Sequence, residues 1–188
     1  MFDSLIAYCN SIHALSKDAE QALCNISSTL QIEKNKDLQP IGHTCKTIYF
    51  IEKGALRIYY YKDGTDITES FEFENSIVAR AESLFSGKPS KKAIQAIEDT
   101  TLIAIDANKL FILFDAFPEI ERLFRKIIEQ AYVKSINRLE SIQFNTAEER
   151  YINLINEHKD VLKRVPLKYI ASYLGITQVS LSRIRASM

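Results

Sequence analysis

Between Leu167 and Ile184, apolar residues return in helical phase on either side of a single glycine. Leu167, Ile170 and Leu174 precede Gly175, and Ile176, Leu181 and Ile184 follow it. Residues three or four apart share a helix face, so each half has one side to bury. Ala171 is small where two crossing helices come closest. Gly175 stands at the break, where the backbone must adopt a conformation that costs other residues energy. Thr177 reads as the N-cap of the second helix, its hydroxyl accepting from a free backbone N–H. That helix exposes Gln178, Val179, Ser180, Ser182, Arg183 and Arg185. The stretch is a helix-turn-helix, and its second helix is of the type that enters a DNA major groove. A helical hairpin that packs and reads nothing fits the same spacing, and only the rest of the chain separates the two.

Charge distribution favours the first. Formal net charge is zero, but residues 1–118 carry 12 Lys/Arg against 16 Asp/Glu, whereas residues 145–188 carry 7 against 4. From Lys159 onward there are six basic residues and one acidic. Positive charge thus gathers where phosphate contacts are needed. Three widely spaced cysteines, Cys9, Cys24 and Cys45, suit reduced thiols in a cytoplasmic protein. No 18-residue apolar run predicts a membrane span, and the N-terminus, with Asp3 and no basic segment, does not read as a signal peptide.

Taken in order, residues 3–30 read as helical, with Ser16 before Asp18 and Glu20 as a second helix start. The period then changes. Thr47–Phe50, Leu56–Tyr61, Ile67–Phe73 and Thr101–Ile105 are short runs rich in β-branched and aromatic residues, separated by turn signals. Asp63-Gly64 is a strong hairpin signal, because both turn positions tolerate positive φ. Such strands predict a sandwich or a β-roll. Ser83–Pro89 reads as a loop or short helix, and 107–117 as a short amphipathic segment. Pro118 suits the first turn of a long helix over about 119–143. Ile120, Phe124, Ile127, Ile128, Ala131, Ser135, Leu139 and Ile142 form its stripe. So long a stripe outlasts a small roll and predicts packing against a second copy. Asn145-Thr146 then caps a helix with Glu148 and Glu149 in its first turn, expected to end near Leu162.

The order of helices, β-roll, long helix and helix-turn-helix resembles the bacterial Crp/Fnr family of transcription regulators over nearly the whole chain. The resemblance is carried by YFIEKGALRIYYYKDG, by ESLFSGKPSKKAIQAIEDTTLIAID and above all by VPLKYIASYLGITQVSLSRIR. It implies an α+β chain in three parts. Residues 1–118 would be a cyclic-nucleotide-binding-type sensor roll, 119–144 the homodimer helix, and 145–188 the DNA-binding domain. It implies double-stranded DNA as partner, with Lys168, Thr177, Gln178, Val179, Ser180, Ser182 and Arg183 at the interface. Lys159, Lys163 and Arg164 are expected to add phosphate contacts, because the sequence ends three residues after Arg185 and a wing hairpin is not expected.

The family's nucleotide-binding members carry Gly-Glu-Leu and, about ten residues on, Arg-Ser/Thr-Ala. Aligning on Leu84-Phe85 and Ala93 puts Arg80-Ala81 at Gly-Glu and Lys91-Lys92 at Arg-Ser. The ribose carboxylate is lost at Ala81 unless Glu82 replaces it, and Lys91 lacks the bidentate fork of arginine. Ala81, Glu82, Ser83, Lys91, Lys92 and, on the long helix, Ser135 are the ligand-pocket positions implied. Cyclic AMP is therefore not expected as a ligand, and another small effector, or none, is. No metal or other cofactor is expected: the three histidines, His13, His43 and His158, stand apart, and three scattered cysteines cannot hold an iron–sulfur cluster. No catalytic constellation is present, so an enzyme is not expected. The alternative is a ligand-binding or protein-interaction module whose C-terminal helices do not read DNA.

Overall fold

The computed structural model describes residues 2–187. Helices α1 (Asp3–Ile12) and α2 (Lys17–Asn25) open the chain. The Ser16 hydroxyl accepts from the Ala19 N–H at 3.3 Å and caps α2. Helix does not continue to residue 30, which corrects the helical reading of 27–30. Ser27–Ile32 is strand β1, paired antiparallel with a strand far along the chain, from Ser27↔Ile105 to Ile32↔Thr100. Most of β1 is exposed and carries no alternation, so its distant partner, not its own pattern, decides its state.

The roll continues with β2 (Asp37–Gln39), β3 (Thr47–Lys53), β4 (Leu56–Lys62), β5 (Thr65–Glu72), β6 (Ile77–Val78), β7 (Ala93–Ala96) and β8 (Thr100–Asp106). These form two antiparallel sheets, ordered β1-β8-β3-β6 and β2-β7-β4-β5. The Lys62↔Thr65 pair closes the β4–β5 hairpin over Asp63 and Gly64, whose φ angles are +50° and +75°. Period-two alternation places the core. Ile48, Phe50, Ile103 and Ile105 face outward to the helices, while Ile51 and Leu102 meet Leu56, Ile58 and Ile94 between the sheets. A short helix, α3 (Ala81–Ser86), fills the loop before β7.

After α4 (Ala107–Ala116) comes the long helix α5 (Pro118–Phe144), with Pro118 in its first turn. Its first half buries Ile120, Leu123, Phe124 and Ile127 in the core shared by α1, α4 and the β1-β8-β3-β6 sheet. From Ile128 onward the apolar side chains Tyr132, Leu139 and Ile142 are exposed. The stripe therefore divides: half packs on the roll, and half is left largely exposed.

Helix α6 (Ala147–Glu157) starts at a capping box in which Thr146 and Glu149 satisfy each other's backbone N–H groups. It ends at Glu157, not near Leu162. His158 leaves helical geometry (φ −132°, ψ 85°), and Val161–Arg164 forms a separate turn, α7. Helices α8 (Leu167–Leu174) and α9 (Gln178–Ala186) flank Gly175, whose φ is +70°. The Ile176 N–H reaches Ala171 O and the Gly175 N–H reaches Ser172 O, both at 3.0 Å, in a Schellman turn that only a left-handed residue permits. Ile170, Ala171, Leu174 and Leu181 are buried as the spacing predicts, whereas Leu167 is exposed.

The helix-turn-helix is seated on the roll. Ala55, Phe71 and Ile97 of the roll join Tyr151, Leu154, Val161, Val165 and Tyr169 in one core. At the edge of β5 the Ser172 hydroxyl accepts from Thr68 N–H (2.9 Å) and donates to Asp66 O (3.1 Å), which satisfies an otherwise open strand edge. Arg57 on β4, only 2% exposed, is held bidentate by Asp66 at 2.6 and 2.7 Å and by Gln95 at 2.9 Å. Its guanidinium lies between the rings of Tyr59 and Tyr169, 4.2 and 3.7 Å from their centroids.

Candidate nucleic-acid interface and sensor cavity

The outer side of α9 is built by one buried anchor and one cap. Leu181 faces the core, which turns Gln178, Val179, Ser182, Arg183 and Arg185 to the surface. None of the side chains of Gln178, Ser182 or Arg183 is engaged in a hydrogen bond or ion pair among the described residues. Thr177 and Ser180 are differently employed. Thr177 Oγ1 accepts from Ser180 N–H at 3.1 Å and lies 3.0 Å from Ser180 Oγ, so both hydroxyls are spent on the helix start. Lys168 is exposed in the first turn of α8, its ammonium 4.7 Å from the Tyr169 ring, with no carboxylate partner among the described residues.

The basic cluster before α8 does not act as one. Lys163 pairs with Asp160 at 3.1 Å on the surface, an interaction too weak and too solvated to commit it. Arg164 turns inward instead. It forks onto Glu74 at 2.9 and 2.6 Å, also bonds Glu98 at 3.1 Å, and lies 5.1 Å from the Phe73 ring. Its expected phosphate contact is therefore corrected: two roll carboxylates already hold the guanidinium. Glu74 also accepts from the Gly54 N–H at 2.9 Å. Gly54 is required there, since its φ is +107° and a Cβ would sit 2.4 Å from Thr100 Oγ1.

A cavity of about 1290 Å³ opens between β5, β6, α3, α5 and α6. Of the expected pocket residues, Ala81, Glu82 and Ser135 line it. Ser83, Lys91 and Lys92 do not. Ser83 is buried, donating to Lys88 O and accepting from Cys45 N–H, so its hydroxyl holds the loop. Lys91 is exposed outside the cavity, and Lys92 pairs with Glu69 at 2.5 Å. Ser135 donates to Ala131 O of its own helix at 2.9 Å. Burial pushes the pKa of His158, another lining residue, below its ordinary value, so the imidazole is neutral near pH 7. Elsewhere, burial pushes the Cys9 thiol up to about 12, so this cysteine is a packing residue. Among the described residues no cluster of metal-ligating side chains occurs, and no helix is long and apolar enough to cross a membrane.

Residues 30–117 match the cyclic nucleotide-binding domain family. Solved structures align with the whole arrangement. FixK2 from Bradyrhizobium japonicum superposes with a TM-score of 0.75 at 18% identity, covering 86% of this chain and 84% of that one. The chain has the Crp/Fnr fold. A Crp/Fnr-family transcriptional regulator from Eubacterium rectale gives a TM-score of 0.71 at 17% identity, with 90% and 82% covered. The c-di-GMP-responsive regulator CLP from Xanthomonas campestris gives 0.71 at 14%, with 92% and 91% covered. Among curated proteins, no sequence matches. In the Crp/Fnr frame, α5 is the long central helix, α8 and α9 are the helix-turn-helix, and the cavity lies between the roll and that central helix.

Two buried arginines escape the sequence reading. Arg57 sits in the strand run LRIYYY, where only the alternation marks it as facing one side of the sheet. Arg80 is flagged only as a replacement for glycine, with nothing local to say that it is buried.

Proposed function

We propose that this chain is a dimeric DNA-binding transcription regulator of the Crp/Fnr type whose sensor cavity does not take cyclic AMP. The observation that carries the reading is the outer face of α9. Gln178, Val179 and Arg183 are exposed there and unengaged, on a helix whose orientation Leu181 and the Gly175 turn fix. Glutamine can bond adenine bidentately, arginine guanine, and valine can pack on a thymine methyl. Lys168 and Lys159 supply charge for phosphates. The half-exposed apolar stripe of α5 beyond Ile128 supports pairing with a second copy. Alanine at 81, with Lys91 outside the cavity, supports loss of the usual cyclic nucleotide contacts, Glu82 being the one carboxylate of α3 left on the cavity wall.

The shared core of α7, α8 and the roll favours a second reading, a module in which these helices only pack. Fluorescence anisotropy with a labelled duplex over a salt series separates the two. A regulator shows affinity that falls steeply and log-linearly with salt, while a packing module shows none. Cyclic AMP is expected to leave that affinity unchanged.

A further inference from the structure

We propose that Arg80 is the receptor for an anionic effector, a small organic molecule bearing a carboxylate or phosphate, bound in the cavity between the roll and α5. The proposal rests on reading the roll as a sensor domain, but not on DNA binding.

Arg80 is 8% exposed and lines the cavity. Its Nε is buried with no hydrogen-bond partner, and its guanidinium enters no ion pair among the described residues. The same roll shows what a fully satisfied buried arginine looks like. Arg57 is more deeply enclosed still, yet Asp66, Gln95 and Thr68 take its donors and two rings cover its faces. A guanidinium enclosed at its Nε with no counter-charge is unfavourable, and such a group persists where it serves something else. An anion entering the cavity would supply the missing partner.

Five basic and five acidic side chains line the cavity, so what favours an anion is which of them are already paired. Lys126 bonds only Ile12 O, Arg138 bonds Tyr173 O, and Arg150 bonds Asn145 O and Leu174 O. These are carbonyls, so none of the three cations is held in a salt bridge among the described residues. Burial, with the nearby Arg150 charge, outweighs the pull of Tyr173 and Glu69 and holds the Arg138 pKa below its usual value. On the other side of the balance, Glu72, Glu69 and Glu129 are each paired with a lysine or arginine, whereas Glu157 meets only the neutral His158, at 3.6 Å, and Glu82 has no basic partner among the described residues. The cavity is large enough for more than an inorganic ion, and Phe71, Ile77 and Val78 give it an apolar wall for an organic body. A fork of two parallel N–H donors suits carboxylate and phosphate alike.

Thermal unfolding and calorimetric titration of the full chain test this, with sodium phosphate and sodium succinate as probes against sodium chloride at matched ionic strength. A saturable rise in Tm with at least one probe is expected, and whichever probe saturates distinguishes phosphate from carboxylate. Arg80→Gln should abolish the probe-dependent shift without lowering the Tm of the ligand-free protein, because it removes an unpaired buried charge. Arg80→Lys keeps the charge but not the fork, and should bind roughly tenfold more weakly. Lys91→Gln, outside the cavity, should bind as the wild type does. Two results overturn the proposal: no saturable shift beyond chloride with either probe, or undiminished binding in both Arg80 variants. A protein that binds the anion through Arg80 but binds no duplex would leave this proposal standing and remove the regulator reading.

Discussion

Replacing Leu139 and Ile142 with glutamate should convert the protein from dimer to monomer while leaving its fold intact. The two residues belong to a seam on α5, Ile128, Tyr132, Ser135, Leu139 and Ile142, spaced four and three apart in turn as in a coiled coil. Ile128, Tyr132, Leu139 and Ile142 are 47%, 67%, 51% and 52% exposed, so about half or more of each side chain is left for a partner to cover. Burying the remaining half of such a side chain contributes about 1 kcal/mol. In a twofold dimer two substitutions per chain remove four of these contributions, about 4 kcal/mol, or roughly a thousandfold in dimer Kd. Four carboxylates facing one another along the seam add repulsion to that loss. The monomer should stay folded, with a Tm that no longer depends on protein concentration, because Ile120, Leu123, Phe124 and Ile127 still fix the helix to the roll. Sedimentation velocity over a concentration series reads the dimer constant directly. A double variant that dimerised as tightly as the wild type would refute the assignment of this seam.

Three further substitutions probe other joints of the structure. Arg183→Ala should flatten preference among DNA sequences, whereas Lys168→Ala should weaken all duplexes alike and reduce the salt slope by about one; anisotropy with matched and mismatched sites reads both. Gly54→Ala should destabilise by roughly 2–4 kcal/mol in urea unfolding, since the added Cβ meets Thr100 and the backbone is held at φ +107°. A loss under about 0.5 kcal/mol would show that the loop relaxes freely. Burial tends to raise the Glu74 pKa, but the bonds from Arg164 and the Gly54 N–H outweigh it and hold the carboxyl below its ordinary 4.5. A group depressed in the folded state contributes stability above its unfolded pKa and loses it as pH falls through the folded value. Stability should therefore drop below about pH 4.5, and Glu74→Gln should make that acid decline shallower; an unchanged slope would count against the Arg164 pair.

Much of the fold was legible because its signals are local. The Gly175 turn, the Thr177 cap, the Thr146–Glu149 box and the Asp63-Gly64 hairpin each need only a few neighbouring residues. Strands β1, β2, β6 and β7 were not legible, for they are short or exposed and are defined by partners far along the chain. Leu102 and Ile105 do more to make Ser27–Ile32 a strand than its own serines do. The candidate site divides in the same way. The exposed face of α9 follows from helical period alone. The fate of Arg164 does not, because Glu74 and Glu98 come beside it only when the helices settle on the roll. Arg80 is the clearest case: arginine is ordinarily a surface residue, and no neighbour in sequence marks its burial.

The most direct test of the regulator reading is selection of bound duplexes from a random DNA pool by the purified, ligand-free protein. The account predicts enrichment of an inverted repeat whose half-sites lie about one helical turn apart, with base preference that Arg183→Ala relaxes. No enriched sequence, together with affinity for duplex that does not change with salt, would contradict it.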